Sequence, residues 1–391
     1  MTDFLIQQFI NKNQSKDKER QQYGRLSSIV GIVVNVLLAA SKILIGLLVG
    51  SIAILGDGIN NLFDSGSSVI SLVTFHIVSK PADADHPFGH ARFEYISSSV
   101  VAMLIVYVAI TLFTESVDKI MNPTEMETNL VTVLVLVISI GLKFWLYSFY
   151  KNVGKRINSG LLFANAADSI SDVMATSGIL LALVISPLIG INLDGPMGIV
   201  IAVIIFKSGI DILMGTYNHL MGRPPVKEEV DYLEGRFLSF DGILGLHDMI
   251  IHDYGPGKKF VTVHLEVDAS MSMMDAHQLV DHVERTIESE DGYELTIHID
   301  PIKVDDPETD RVRYRVDQIV KDINEDYSIH DFRLIPIGDR TLVNFDVLIP
   351  AEDKIDDKEL MNEIESMVNR INDKVDLVIE IDRDYIERGE E

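Results

Sequence analysis

The 391-residue sequence contains no cysteine, which excludes disulfides and thiolate metal ligands and leaves the redox compartment unmarked. Positive charge is also short: 33 lysines and arginines face 59 aspartates and glutamates, for a formal net charge of −26. A chain of that sign cannot neutralise phosphates, so nucleic acid is excluded as a partner and cations are favoured. No phosphate-cradling glycine loop, P-loop or nucleophile elbow is present, so no ATP and no enzymatic activity are expected. Met1 to Arg25 is polar and lysine-rich, without the apolar core and small-residue cleavage site of a signal peptide.

What is abundant is apolar sequence, 47% of residues with a mean hydropathy of +0.21, and it is unevenly spread. Residues 1–220 hold 16 acidic and 14 basic side chains, whereas residues 221–391 hold 43 and 19. The chain therefore reads as a membrane half followed by a strongly acidic, water-soluble half. Six apolar stretches reach the roughly 20 residues a bilayer demands, at 27–49, 52–78, 95–117, 129–151, 162–187 and 195–214. An even number of spans puts both termini on one side. Lys12, Lys16, Lys18, Arg20 and Arg25, then Lys80 and Arg92, then Lys151, Lys155 and Arg156 fall on that side, with only Lys119 opposite, so the termini are expected in the cytoplasm. Phe4, Leu5, Phe9 and Ile10 fit either an amphipathic surface helix or a disordered arm.

Two stretches inside the apolar half carry ionisable groups: Asp57-Gly58-Ile59-Asn60-Asn61-Leu62-Phe63-Asp64 and Asn165-Ala166-Ala167-Asp168-Ser169-Ile170-Ser171-Asp172. Asn60 with Asp64, and Asp168 with Asp172, stand four residues apart and project from one helix face each. Ionisable groups in a bilayer are costly and mark a substrate path or proton relay. The alternative is polar helix packing, which the repetition in a second span disfavours. Three carboxylates and a carboxamide form a cation site of oxygen donors, suited to Mn²⁺, Mg²⁺ or Ca²⁺ more than to zinc, which prefers histidine and thiolate. Lys42 and Lys143, in the first and fourth spans, are expected to snorkel or to pair with buried acids such as Asp57, outside the ion path.

The soluble half contains a duplication. Leu246-His247-Asp248 recurs as Ile329-His330-Asp331, Phe260-Val261-Thr262-Val263-His264-Leu265 as Leu342-Val343-Asn344-Phe345-Asp346-Val347, and Thr296-Ile297-His298-Ile299-Asp300 as Val378-Ile379-Glu380-Ile381-Asp382. Each copy reads as helix, strand, turn, strand, amphipathic helix, strand. The expected fold class is thus a six-helix, all-α transmembrane domain joined to two tandem α+β domains. The expected boundaries are an arm at 1–24, the membrane domain at 25–215, the first soluble copy at 216–303, an acidic linker at 304–312 and the second copy at 313–391.

Over residues 20–301 the chain resembles the cation diffusion facilitator family. The paired spacings carry the resemblance, with Asp83-Ala84-Asp85-His86-Pro87-Phe88-Gly89-His90-Ala91-Arg92-Phe93-Glu94, Gly245-Leu246-His247-Asp248, Val263-His264-Leu265-Glu266 and His298-Ile299-Asp300-Pro301. It implies six spans, ferredoxin-like cytoplasmic domains, a homodimer in the cell (plasma) membrane, and export of a divalent cation against protons by alternating access. Zinc-transporting members usually place histidine where Asn60 or Asp168 stands, so the Asn60, Asp64, Asp168, Asp172 set looks like the manganese-exporting branch. Zinc, iron or cobalt efflux, and a non-transporting membrane metal sensor, are the alternatives.

The same resemblance implies a second metal site at Asp83, His86 and His90, although Pro87 favours a turn there and spacing alone leaves solvated loop histidines equally open. It implies a third at His247, His264, His277, His298 and Asp300, where the bland reading is hydrogen-bonded strand histidines. In the second copy Asp346, Glu359 and Glu380 replace histidines while His330 and Asp382 persist, which is either drift or an oxygen-rich sensor for a harder ion. The family often clasps its dimer with an acid at the end of the sixth span; Arg92 supplies the base, but Gly222 stands at the acidic position.

Overall fold

A computed structural model describes residues 8, 10, 16–49, 52–122, 130–189, 194–304, 306–338, 340–370 and 375–385. They fall into two compact units: Met1–Arg223 with Asp253–Gly257, and Pro224–His252 with Lys258–Glu391.

The first unit consists of long helices: α1 (Lys16–Val49), α2 (Ile52–Val78), α3 (Phe93–Met121), α4 (Leu130–Ile157), α5 (Gly160–Ile189) and α6 (Asp194–Met221). Among the described residues four segments are long and apolar enough to cross a membrane, namely 18–45, 93–121, 133–157 and 195–221. The remaining helices, α2 and α5, are those that carry Asp64, Asp168 and Asp172. Polarity is inverted relative to a soluble bundle. Leu37, Leu48, Leu130 and Val203 face outward, while Ser67, Ser68, Ser71 and Thr74 of α2 are buried. Lipid rather than water satisfies such a surface. The buried hydroxyls remain affordable because they bond the preceding turn, Ser71 Oγ to Ser67 O at 3.0 Å and Thr74 Oγ1 to Ile70 O at 2.8 Å.

Leu146, Phe149, Tyr150 and Val153 recur every three to four residues, so α4 buries one continuous stripe. It packs against α5 and shares one buried cluster with Leu161 and Leu162 of α5, Val101 and Ile105 of α3, and Ile205 of α6. Gly31 of α1 makes one close approach possible: a Cβ there would lie 1.7 Å from the Tyr150 hydroxyl. That hydroxyl instead meets Ser68 Oγ at 2.9 Å. Phe4, Leu5 and Phe9 lie outside the described residues, whereas Ile10 is buried in the same core.

The second unit repeats one order of elements. α7 (Lys227–Leu238), β1 (Gly245–Asp253), β2 (Lys259–Asp268), α8 (Met273–Asp291) and β3 (Glu294–Ile302) are followed by α9 (Pro307–Ile323), β4 (Ser328–Ile337), β5 (Arg340–Pro350), α10 (Asp357–Asn369) and β6 (Val375–Asp384). Each run builds a three-stranded sheet, β1-β2-β3 and β4-β5-β6. The second and third strands of each sheet are parallel, so a crossover helix must join them. Alternation sets the two faces. Val261, Val263, Leu265 and Val267 face a core with Val283 and Ile287 of α8, and Val343, Phe345, Val347 and Ile349 face Leu360 and Ile364 of α10.

The acidic run expected as a linker does other work. Asp306 accepts a hydrogen bond from the Glu308 amide and caps α9, with Pro307 in the first turn. A helix start and a solvated linker share acids and proline, so composition alone does not distinguish them.

Candidate metal centres

Asp64 lies on α2, Asp168 and Asp172 on α5, and Lys143 on α4. The Lys143 ammonium lies 3.0 Å from Asp64 Oδ2 and 2.5 Å from Asp172 Oδ2, with its own side chain 4% exposed. One cation therefore already bridges carboxylates from two separate helices. Ser67 Oγ stands 2.9 Å from the Asp64 carbonyl and donates to Asp168 Oδ2 at 3.2 Å, tying the third carboxylate to the same place. Asn60 is in α2, but its side chain lies outside the described residues, as does that of Asp57. Lys143, expected to snorkel or to pair with buried acids such as Asp57, does pair with buried acids, but with two of the quartet itself.

On the connection between α2 and α3, Asp83 Oδ1 accepts from the Asp85 amide at 3.1 Å and the His86 amide at 2.8 Å, while Oδ2 stands 3.4 Å from His90 Nε2. The amide of His86 holds the Asp83 carboxyl below the usual carboxylate range. The two imidazoles lie 4.6 Å apart, tilted at 45° to one another, and Pro87 and Phe88 form the turn that brings them together. All three residues offer ligand atoms within 4.8 Å of one another. His90 Nδ1 is buried and makes no hydrogen bond.

In the second unit the register of β2 with β3 sets His264 opposite His298 and Glu266 opposite Asp300. Asp300, 2% exposed, hydrogen-bonds His264 Nδ1 at 2.9 Å through Oδ2, with His247 Nε2 standing 3.3 Å from the same oxygen and His298 Nε2 3.6 Å from Oδ1. His247, His264 and Asp300 form a ligand cluster within 4.8 Å. His277 is exposed on α8 and is not brought into it. Burial opposes charging of His247, but Glu266, Asp248 and Asp300 outweigh it and raise its pKa. Arg333, from the second copy, bonds both Asp300 and Asp331.

A further cluster escaped the sequence reading as a unit: Asp248, His330, Asp346 and Asp382 also present ligand atoms within 4.8 Å of one another. The duplication pointed to three of them, but nothing in the spacing places Asp248 of the first copy among residues of the second. Arg92 reaches the Asp253–Gly257 segment. Its Nη2 donates to the Asp253 carbonyl at 3.1 Å, and its guanidinium covers the Tyr254 ring.

An apolar-faced helical unit with carboxylates inside it, followed by a sheet unit bearing histidine and aspartate clusters, defines a membrane protein that handles cations. Residues 28–221 match the family model described as the cation efflux transmembrane domain, and residues 225–302 match that of the cation efflux protein cytoplasmic domain. An uncharacterised transporter of Methanocaldococcus jannaschii is 32% identical over 273 residues, 70% of this chain and 96% of that protein. The cation-efflux pump FieF of Shigella flexneri is 31% identical over 288 residues, 73% of this chain and 96% of the pump. FieF of Escherichia coli matches equally. The chain belongs to the cation efflux family, whose members are transporters and not enzymes.

Proposed function

We propose that the protein exports a divalent cation, Mn²⁺ by preference, across the plasma membrane in exchange for protons. The observation that carries this reading is the Lys143 ammonium shared by Asp64 and Asp172. Carboxylates from α2 and α5 already converge on one positive charge in a buried, water-poor setting, where such groups are retained for transport more than for stability. With all three carboxylates ionised and Lys143 charged, the cluster carries two net negative charges, and one divalent ion neutralises it. Oxygen donors without histidine or thiolate favour a hard ion, which supports Mn²⁺ over zinc, iron or cobalt.

In this reading Asp64, Asp168 and Asp172, with Asn60, take the cargo, and the carboxylates exchange it for protons. Lys143 occupies two of the same oxygens in the absence of cargo and yields them when the cation enters. Asp83, His86 and His90, and His247, His264, His298 and Asp300, hold further ions outside the membrane path, with His277 as an additional donor. In the same reading six spans put both termini and the acidic unit on one side, which the bias of lysine and arginine makes the cytoplasm, and the family model for residues 225–302, labelled a dimer domain, supports a homodimer. The two copies are read as tandem ferredoxin-like domains.

Reconstituted vesicles test this directly. Mn²⁺ entry should be accompanied by opposite proton flux, and Asp64→Asn and Asp172→Asn should abolish both. Mn²⁺ movement that ignores a pH gradient would refute the antiport, and variants that transport normally would refute the site. Competition by Zn²⁺ that matches Mn²⁺ ion for ion would overturn the preference.

A further inference from the structure

The second unit holds His330 in a setting that the protein alone does not satisfy. Its Nε2 is buried and makes no hydrogen bond, yet three carboxylates crowd it, Asp382 at 3.1 Å, Asp248 at 3.4 Å and Asp346 at 3.9 Å. Among the described residues no lysine or arginine pairs with any of the three. Even with His330 protonated and His264 Nδ1 4.0 Å from Asp248, three carboxylates about one imidazole leave the cluster short of positive charge, which is costly in a partly buried place.

The duplication makes the location significant. Asp346 stands in β5 where His264 stands in β2, and Asp382 in β6 where Asp300 stands in β3. His330 likewise takes the place of His247, whose side chain is 6% exposed and whose ring nitrogens are both buried without a hydrogen bond. The two imidazoles lie 5.4 Å apart, so the clusters are neighbours. They are not equivalent, however. Arg333 already neutralises Asp300 in the first, whereas a carboxylate, Asp248, is contributed by the first copy to the second. Asp248 reaches that place from a left-handed backbone conformation, φ 48°, which an aspartate adopts at low cost.

We propose that Asp248, His330, Asp346 and Asp382 form a divalent-cation site that ties the two soluble copies of one chain together. Three carboxylates and one imidazole make an oxygen-dominated donor set, suited to Mn²⁺ and distinct from the histidine-rich cluster beside it. The ion supplies the missing positive charge, and because its ligands come from β1, β4, β5 and β6, its binding couples the packing of the two copies to cation concentration.

Full-length protein in detergent tests this by counting bound Mn²⁺, using electron paramagnetic resonance to measure the free ion. The count is made in an Asp64→Asn, Asp172→Asn background, so that the membrane site is not included and failure of the transport reading cannot be mistaken for failure here. Asp248→Asn and Asp382→Asn, on different copies, should each remove the same single Mn²⁺ equivalent or weaken it at least about tenfold, and combining them should remove no second one. Unchanged stoichiometry and affinity in both variants would overturn the site. Loss with Asp382→Asn but not with Asp248→Asn would overturn its composite nature. Calorimetry without metal checks folding; if either variant fails to fold, His330→Gln replaces it and must show the same single loss.

Discussion

At the residue scale the decisive group is Lys143. A positive charge beside a divalent cargo opposes its binding, by an amount that low-dielectric surroundings enlarge. Lys143→Gln should therefore tighten Mn²⁺ binding at least about tenfold while slowing release and turnover in vesicles. Unchanged affinity would show that the ammonium leaves the carboxylates before cargo arrives. Asp253 gives a second case. Burial would raise its carboxyl, but His219 at 3.3 Å, the Gly255 amide at 2.7 Å and the Tyr95 hydroxyl at 2.9 Å outweigh that and hold it below the usual 3.8. A depressed carboxyl stabilises the fold above its ordinary value, and the contribution is lost as pH falls through the depressed one. Asp253→Asn should cost about 1–3 kcal/mol at neutral pH, and the gap between variant and parent melts should narrow as the pH falls below 3.8 through the depressed value. A gap independent of pH would mean that shape rather than charge is lost.

The sequence made some of these residues legible and hid others for a physical reason. Four-residue spacing fixes which side chains share a helix face, so Asp168 with Asp172 was readable before any coordinates. Two-residue alternation likewise gave Val261, Val263 and Leu265 one face and His264 the other. Spacing says nothing about reach between elements. Lys143 bridging α4 to α2 and α5, Arg333 crossing to Asp300, and Arg20 bonding the fully buried Glu94 at 2.5 Å all depend on tertiary packing, and Arg20 had read only as a marker of membrane side.

At the scale of elements, the helices of the first unit are fitted by small residues at their crossings rather than by hydrophobic attraction, as lipid tails are as apolar as leucine. Gly31 is the clearest instance, because α1 and α4 approach until only a hydrogen fits beside Tyr150. Gly31→Val should force α1 outward, break the Tyr150–Ser68 bond, and cost about 1–3 kcal/mol, read as a lower melting temperature in detergent. Gly141, whose added Cβ would meet nothing within 4 Å, provides the comparison, and Gly141→Ala should be neutral or slightly stabilising. Equal effects at both positions would show that helix propensity, not close approach, sets the requirement for glycine.

At the scale of the molecule, charge follows hydropathy: the acidic excess belongs almost wholly to residues 221–391. Like charges at that density repel, and the repulsion is screened over about 30 Å at 0.01 M salt but about 10 Å at 0.1 M. Raising NaCl between those limits should lift the calorimetric transition of the second unit by about 2–4 °C for each kcal/mol of repulsion removed. Mn²⁺ at concentrations too low to change ionic strength provides the contrast. A diffuse field responds only to ionic strength, whereas a built site responds to occupancy as RT ln(1 + [L]/Kd). The transition should therefore rise with sub-millimolar Mn²⁺ at constant ionic strength, and rise less in Asp248→Asn. If Mn²⁺ and NaCl act identically at matched ionic strength, the acidic unit is a charged surface and nothing more.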